Sequence, residues 1–170
     1  MEAKAIDVLN RNRLLALATL RADGWPQNTI VGYANERLLV YFMISRESQK
    51  YRNILADNRV SIAIGQDFHD PAMIHGLSIA AHASEVTDSE QRARAIDLFL
   101  QRHPGLKKLE RPDLQISAVM RAFPSIVTII DYSKGFGHAD VLTFGPAGIA
   151  EMTPARPDNW GFGSQRKPVS

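Results

Sequence analysis

The chain of 170 residues contains no cysteine, which excludes a disulfide framework, a thiolate metal site and a thiol nucleophile, and fits a reducing cytoplasm. It also lacks a dominant charge: 20 Lys and Arg stand against 18 Asp and Glu, for a net charge of +2. The basic residues are scattered, so the chain has no cationic face of the kind that displaces counterions from nucleic acid. The pI near 9.0 reflects only that small excess. Long apolar runs are missing too. Leu14 to Leu20 is too short for a signal peptide or a membrane span and follows the charged Glu2, Lys4 and Asp7. The expectation is a cytoplasmic protein with no nucleic-acid and no membrane partner.

Histidine is sparse and poorly spaced for metal. His69, His75, His82, His103 and His138 show no H-E-x-x-H pattern. His75 and His82 share a predicted strand, but seven residues apart they lie on opposite faces. No metal site is expected, and Asp67, His69 and Asp70 read as a solvated loop. No Ser-His-Asp arrangement emerges.

What is present is an ordinary globular composition, 45% hydrophobic and 22% charged, in a chain long enough to bury roughly 68–70% of its unfolded surface as one domain. Residues 3–10 carry apolar positions at helical spacing. Leu14–Leu20, Pro26–Tyr33 and Arg37–Ile44 read as three strands. The first two are joined through Asp23-Gly24, a strong hairpin signal, and the last two through a turn at Ala34-Asn35-Glu36.

Tyr51, Ile54 and Leu55 mark a helix, Arg59–Gly65 and His75–Val86 two further strands, and Ala93, Ile96, Phe99 and Leu100 a helix capped near Thr87-Asp88 and ended at His103-Pro104-Gly105. Pro124–Tyr132 is a sixth strand. The fold class is therefore mostly β with peripheral helices, a six-stranded antiparallel barrel closed or nearly closed because closure removes exposed sheet edges. Residues 1–145 form the domain, and residues 146–170, rich in Pro and Gly without periodicity, form an arm or tail.

The segment Ser45-Arg46-Glu47-Ser48-Gln49-Lys50 runs straight into a helix start. Free backbone N–H groups, the positive helix end, hydroxyls and cationic side chains are what a phosphate monoester requires. Ser48 and Lys50 are the principal candidates, and Arg46 offers a bidentate contact. A helix cap with solvated cations is the alternative reading.

GWPQNTIV, LLVYFMISRESQKYRNI, HGLSIAAHASEVTD and IIDYSKGFGH occur in that order. Together they resemble the pyridoxamine 5'-phosphate oxidase-like family of split barrels that bind flavin mononucleotide (FMN), over roughly residues 5–140. Gly24-Trp25-Pro26, Val40 to Ile44 and Ser48-Gln49-Lys50 carry the likeness. It implies a six-stranded antiparallel split β-barrel with flanking helices, acting as a homodimer with the flavin site at the subunit interface. Thr29, Ile30 and Val31 would lie along the isoalloxazine and ribityl chain, Met43 and Ile44 would face the flavin, and Ser48, Gln49 and Lys50 would hold the phosphate; the reading of the loop itself adds Ser45 and Arg46 as cofactor-binding candidates.

Two departures from the oxidase itself are plain. Thr29 stands where the oxidase has a phosphate-binding Arg, and the Arg-Leu-His-x-Arg substrate motif is absent. Vitamin B6 oxidation is not expected, and Arg46 is the candidate replacement cation.

The resemblance implies an FMN-dependent oxidoreductase of unknown substrate, with NAD(P)H a plausible electron donor and no side-chain catalyst named, since the flavin carries the electron chemistry. Two rivals remain: a non-catalytic FMN-binding protein of stress or sensing, and a haem-binding split barrel with His75, His82 or His138 as axial ligand. Asp131–His138 (DYSKGFGH) reads either as a flavin or substrate contact or as a tight strand-end turn. Trp25 and Trp160 are both candidates to stack on a flavin ring; Trp25, beside the hairpin turn, reads rather as edge packing, and Trp160, in a tail that could reach across a dimer, is the stronger candidate of the two.

Overall fold

A computed structural model describes residues 1–108, 111–145 and 148–155. The elements run α1 (Glu2–Arg11), β1 (Leu14–Leu20), β2 (Pro26–Glu36), β3 (Leu39–Ser45), α2 (Gln49–Ala56), β4 (Arg59–Gly65), β5 (His75–Glu85), α3 (Ser89–Arg102), β6 (Ser117–Asp131), β7 (Ala139–Gly145) and β8 (Gly148–Ala155). The strands lie in the order β3-β2-β1-β4-β5-β6-β7-β8, and a β3–β6 pairing closes β1–β6 into the expected six-stranded antiparallel barrel.

β1 and β2 pair from Leu14↔Gly32 to Leu20↔Pro26, and the Asp23-Gly24 turn joins them with Gly24 at φ 85, a conformation glycine adopts without a Cβ clash. Strict alternation on β4, Val60, Ile62 and Ile64 in and Arg59, Ser61 and Ala63 out, is the mark of a sheet with one face on the core. At Gly76 a Cβ would sit 2.7 Å from the Ile64 carbonyl, so the close β4–β5 contact requires glycine.

Leu15, Leu17, Tyr33, Phe42, Ile62, Ile79, Met120, Ile129 and Leu142 fill the interior, and Ala5, Val8 and Leu9 of α1 plug one end. Each large side chain so buried contributes about 1.5–3 kcal/mol. The Tyr33 hydroxyl donates to the Leu9 carbonyl at 2.7 Å, and burial pushes that phenol up to about 12. Arg102 of α3 donates to the Leu9 and Asn12 carbonyls, each at 2.8 Å, closing the last turn of α1. A second cluster, Tyr41, Val86, Ala95, Ile96 and Val119, seats α3 on the outside of the barrel.

Three expectations change. The turn expected at 34–36 lies at Arg37-Leu38, because Asn35 and Glu36 pair with Val40 and Leu39 and the Asn35 amide donates to the Arg37 carbonyl at 2.9 Å. The sixth strand begins at Ser117, not Pro124. Pro124, which has no N–H to give, sits at a register shift between Ala80↔Ile126 and Ala81↔Pro124, where an unpaired residue tolerates it. There β6 changes partners, from β3 through Ala122 to β7 from Ile126. Finally, residues 148–155, expected as arm or loop, form β8, paired along β7. The barrel thus carries two strands beyond the six. Residues 156–170, including Trp160, lie outside the described residues.

Candidate functional site

α2 covers one end of the barrel. Asn53, buried in α2, donates through Nδ2 to Thr19 Oγ1 at 3.0 Å and to Gln27 Oε1 at 3.3 Å, and accepts from Gln49 Nε2 at 2.8 Å. This polar stitch fixes the first turn of α2 against β1 and β2.

Two serines build the preceding loop. Ser48 is the N-cap: its Oγ accepts from the Tyr51 N–H at 3.2 Å and donates to the Ser45 carbonyl at 2.7 Å. Ser45 Oγ accepts from the Glu47 N–H at 3.1 Å. Both hydroxyls therefore hold the turn itself. The N–H groups of Gln49 and Lys50 belong to the first helical turn and have no intrahelical acceptor.

Arg46 is committed elsewhere. Its Nη2 donates to Glu85 Oε1 at 2.5 Å and Nη1 to Glu85 Oε2 at 3.1 Å, Nη1 also reaches Tyr51 Oη at 2.8 Å, and Nε reaches the Leu114 carbonyl at 3.1 Å. Tyr51 Oη donates to Glu85 Oε2 at 2.8 Å. The Arg46 guanidinium holds the Glu85 carboxyl below its ordinary value, and hydrogen bonding to Glu85 pushes the Tyr51 phenol up. Lys50, by contrast, is half-buried and makes no hydrogen bond or ion pair among the described residues.

On β2 the expected flavin contacts alternate. Thr29 pairs with Leu17 and Val31 with Leu15, whose side chains fill the barrel, and Val31 packs against that core. Ile30 points outward and is 67% exposed. Thr29 Oγ1 is buried without a hydrogen-bond partner, one strand period from Gln27 on the same face. Met43 and Ile44 diverge likewise: Ile44 belongs to the barrel core and Met43 packs on the outer cluster beneath α3. Consecutive strand residues cannot present both side chains to one face.

The opposite end is built from similar residues with all bonds internal. Asp131, fully buried, accepts from Lys4 Nζ and from Ser133 Oγ at 2.6 Å, and His75 Nε2 lies 2.9 Å from it. Burial pushes its carboxyl up, but the hydrogen bonds from Lys4 and Ser133 and the charges of Lys4 and His75 outweigh this and bring it to about 2. Asp140 is paired with Lys134 at 2.8 Å and His138 at 3.2 Å, and Lys134 is the chief cause of its lowered value. DYSKGFGH is thus a strand-end turn whose Ser, Lys and His bond to the two aspartates, nine residues beyond the last β3–β6 pair at Ala122.

Trp25 is 73% exposed at the tip of the β1–β2 hairpin. Among the described residues no group of three or more His, Asp or Glu is placed to hold a metal, and no helix is long and apolar enough to cross a membrane. Sequence reasoning missed Glu85, Tyr51 and Asn53, whose roles depend on contacts distant in sequence.

Among solved structures, the haem-binding protein of Mycobacterium smegmatis matches with TM-score 0.69 and 25% identity, over 84% of this chain and 56% of its own. The chain thus spans little more than half of that protein. General Stress Protein 26 of Bacillus anthracis matches at TM-score 0.61 and 20% identity, over 76% and 92% of the two chains. The haem storage protein HutZ of Vibrio cholerae matches at 0.57 and 24%, over 69% and 85%. At these identities the last two share the fold. No curated protein matches the sequence. The family description for pyridoxamine 5'-phosphate oxidase matches residues 1–126, with β1–β5, the β3–β6 closure, the Ser48 cap and Lys50 inside that span, and the chain belongs to the pyridoxamine 5'-phosphate oxidase family.

Proposed function

We propose that the protein binds FMN and acts as an FMN-dependent oxidoreductase on a substrate still to be found, with NAD(P)H as the candidate electron donor. The observation that carries the reading is Lys50: a half-buried cation with no partner among the described residues, beside the unpaired N–H groups of the α2 start. A phosphate monoester, with a charge of about −1.5 to −2 at pH 7, matches that unmet donor set. The orphaned Thr29 hydroxyl is a second group without a partner, and a ribityl hydroxyl or carbonyl oxygen supplies what it lacks. When bound, the flavin supplies hydride or electron transfer. The chain's residues bind the phosphate (Lys50 with the Gln49 and Lys50 N–H groups), hold the loop (Ser45, Ser48) and hold the helix (Asn53). In this reading Arg46 is no phosphate ligand.

A homodimer with the flavin at its interface is part of the proposal, and the outer sheet face supports it. In cross-strand register, Ile30-Ala16-Ala63-Ser78 and Asn28-Ala18-Ser61-Ala80-Ile126 form two outward rows without a charge. Ile30 and Ile126 are 67% and 43% exposed. Alanine is depleted in strands, and an uncharged face of mostly small residues with two exposed isoleucines suits close contact with a second copy.

The test is the absorption spectrum of the protein as purified, followed by FMN titration. A flavin band and loss of FMN affinity by about tenfold or more in Lys50→Ala are expected, the scale of a hydrogen bond to a charged group. Unchanged affinity, or no FMN uptake by the parent, overturns the proposal. Repeated NAD(P)H consumption by the loaded protein separates an enzyme from a flavin-storing protein.

One observation favours haem as a second reading. His82 is exposed on the outer face and bonds through Nδ1 to Asn58 at 3.0 Å, leaving Nε2 open. It lies opposite Phe123, which is 47% exposed. Both His75 nitrogens are engaged, with Asp131 and the Met73 carbonyl, and His138 Nε2 faces Asp140. A Soret band lost in His82→Ala supports this reading; absence of haem uptake removes it.

A further inference from the structure

We infer that Glu85 is a positioning residue for the Ser45–Lys50 loop: it takes the Arg46 guanidinium as a strut between β5 and the loop, and so leaves Lys50 as the loop's phosphate-facing cation. This deepens the FMN reading and rests on it. Arg46 looks from the sequence like a phosphate ligand, but four of the five N–H bonds of its guanidinium already go to Glu85, Tyr51 and the Leu114 carbonyl. The two-pronged pairing with a carboxylate is among the strong hydrogen-bonded pairings that arginine makes, and Tyr51 Oη closes the triangle by donating to the same carboxylate at 2.8 Å.

The strut ties together four parts of the chain. Glu85 ends β5, Arg46 begins the loop, Tyr51 lies in the first turn of α2, and Leu114 precedes β6. The Arg46 N–H also donates to the Ile116 carbonyl at 2.9 Å, so Arg46 is anchored by backbone and side chain alike. Asn53 holds the inner side of the same helix to Thr19 and Gln27. The α2 start is therefore suspended from both sides, and the N–H groups of Gln49 and Lys50 keep one direction. A group that orients the ligand-bearing loop without touching the ligand acts as outer partners do at metal sites.

Strut and ligand roles for Arg46 give opposite results in one variant. If Arg46 gripped phosphate, Glu85→Gln would release it for that task, and FMN affinity would hold or rise. As a strut, Glu85→Gln loosens the loop and weakens FMN.

The experiment compares the parent, Glu85→Gln, Arg46→Gln and the double variant by FMN titration and by amide hydrogen exchange of the FMN-free proteins. Expected are a fall in FMN affinity of about tenfold in each single variant, the scale seen for outer partners that orient ligands. The double variant should be no weaker than Arg46→Gln, and exchange over residues 46–50 should be several-fold faster in all three. Equal or tighter FMN binding in Glu85→Gln, or unchanged exchange there, overturns the strut. A parent that takes up no FMN overturns the cofactor reading instead, and the exchange measurement alone then decides whether Glu85 holds the loop.

Discussion

The two ends of the barrel use the same materials to different purpose. At the α1 end, Ser133, Lys134, Lys4, His75 and His138 converge on Asp131 and Asp140, and each donor meets a buried carboxylate. At the α2 end, Ser45 and Ser48 close a turn, Arg46 is held by Glu85, and Lys50 and the Thr29 hydroxyl meet nothing among the described residues. Both segments hold a serine and a lysine just after a strand. What distinguishes the two ends is unmet bonding capacity, which burial makes costly.

The largest effect that would break this contrast belongs to the clamped end. Asp131→Asn leaves Lys4 and His75 facing a neutral amide, and with Lys4 about one-third exposed the cost is near the lower end for a broken buried pair, about 3 kcal/mol in urea unfolding. A loss below about 1 kcal/mol would mean that the clamp does not hold the fold. The pH dependence has a definite sign. The folded-state carboxyl is depressed from 3.8 to about 2, so its contribution is fully present above the unfolded value and is lost as pH falls from 3.8 through about 2. The gap between parent and Asp131→Asn should close over that window.

Next in size is Asn53→Ala. It strips the partners of Gln49, Thr19 and Gln27 and should cost about 2 kcal/mol in the same measurement. Loss of only a few tenths would detach the α2 start from the barrel in this account. The smallest effect has the opposite sign. Thr29→Val replaces an unpartnered hydroxyl and should stabilise the FMN-free protein by about 1 kcal/mol while weakening FMN. A destabilised variant would show that the hydroxyl is satisfied.

The sequence made the contrast only half legible. The hairpin at Asp23-Gly24, the α2 cap at Ser48 and the periodic β4 and α3 are local signals, and the fold follows them. Ser117–Phe123 escaped because Pro124 looks like a strand start, whereas the bulge opposite Ala80/Ala81 carries the strand through it. β8 escaped because its sequence carries a Gly and a Pro and Glu151–Thr153, all exposed, offer no alternation to read. At the site, Ser48 and Lys50 could be read from a helix start. The diversion of Arg46 could not, since Glu85 is 39 residues away, and the orphaned state of Thr29 emerges only from the β1–β2 register and the packing around it.

The most direct measurement is FMN titration of Lys50→Ala beside Lys134→Ala, one lysine from each end. Lys50→Ala should bind FMN at least about tenfold more weakly with unchanged unfolding. Lys134→Ala, which strips a partner from buried Asp140, should lose stability and keep the parent's FMN affinity. Parent-like FMN binding by Lys50→Ala, or equal loss in the two variants, would contradict the phosphate-binding role of Lys50.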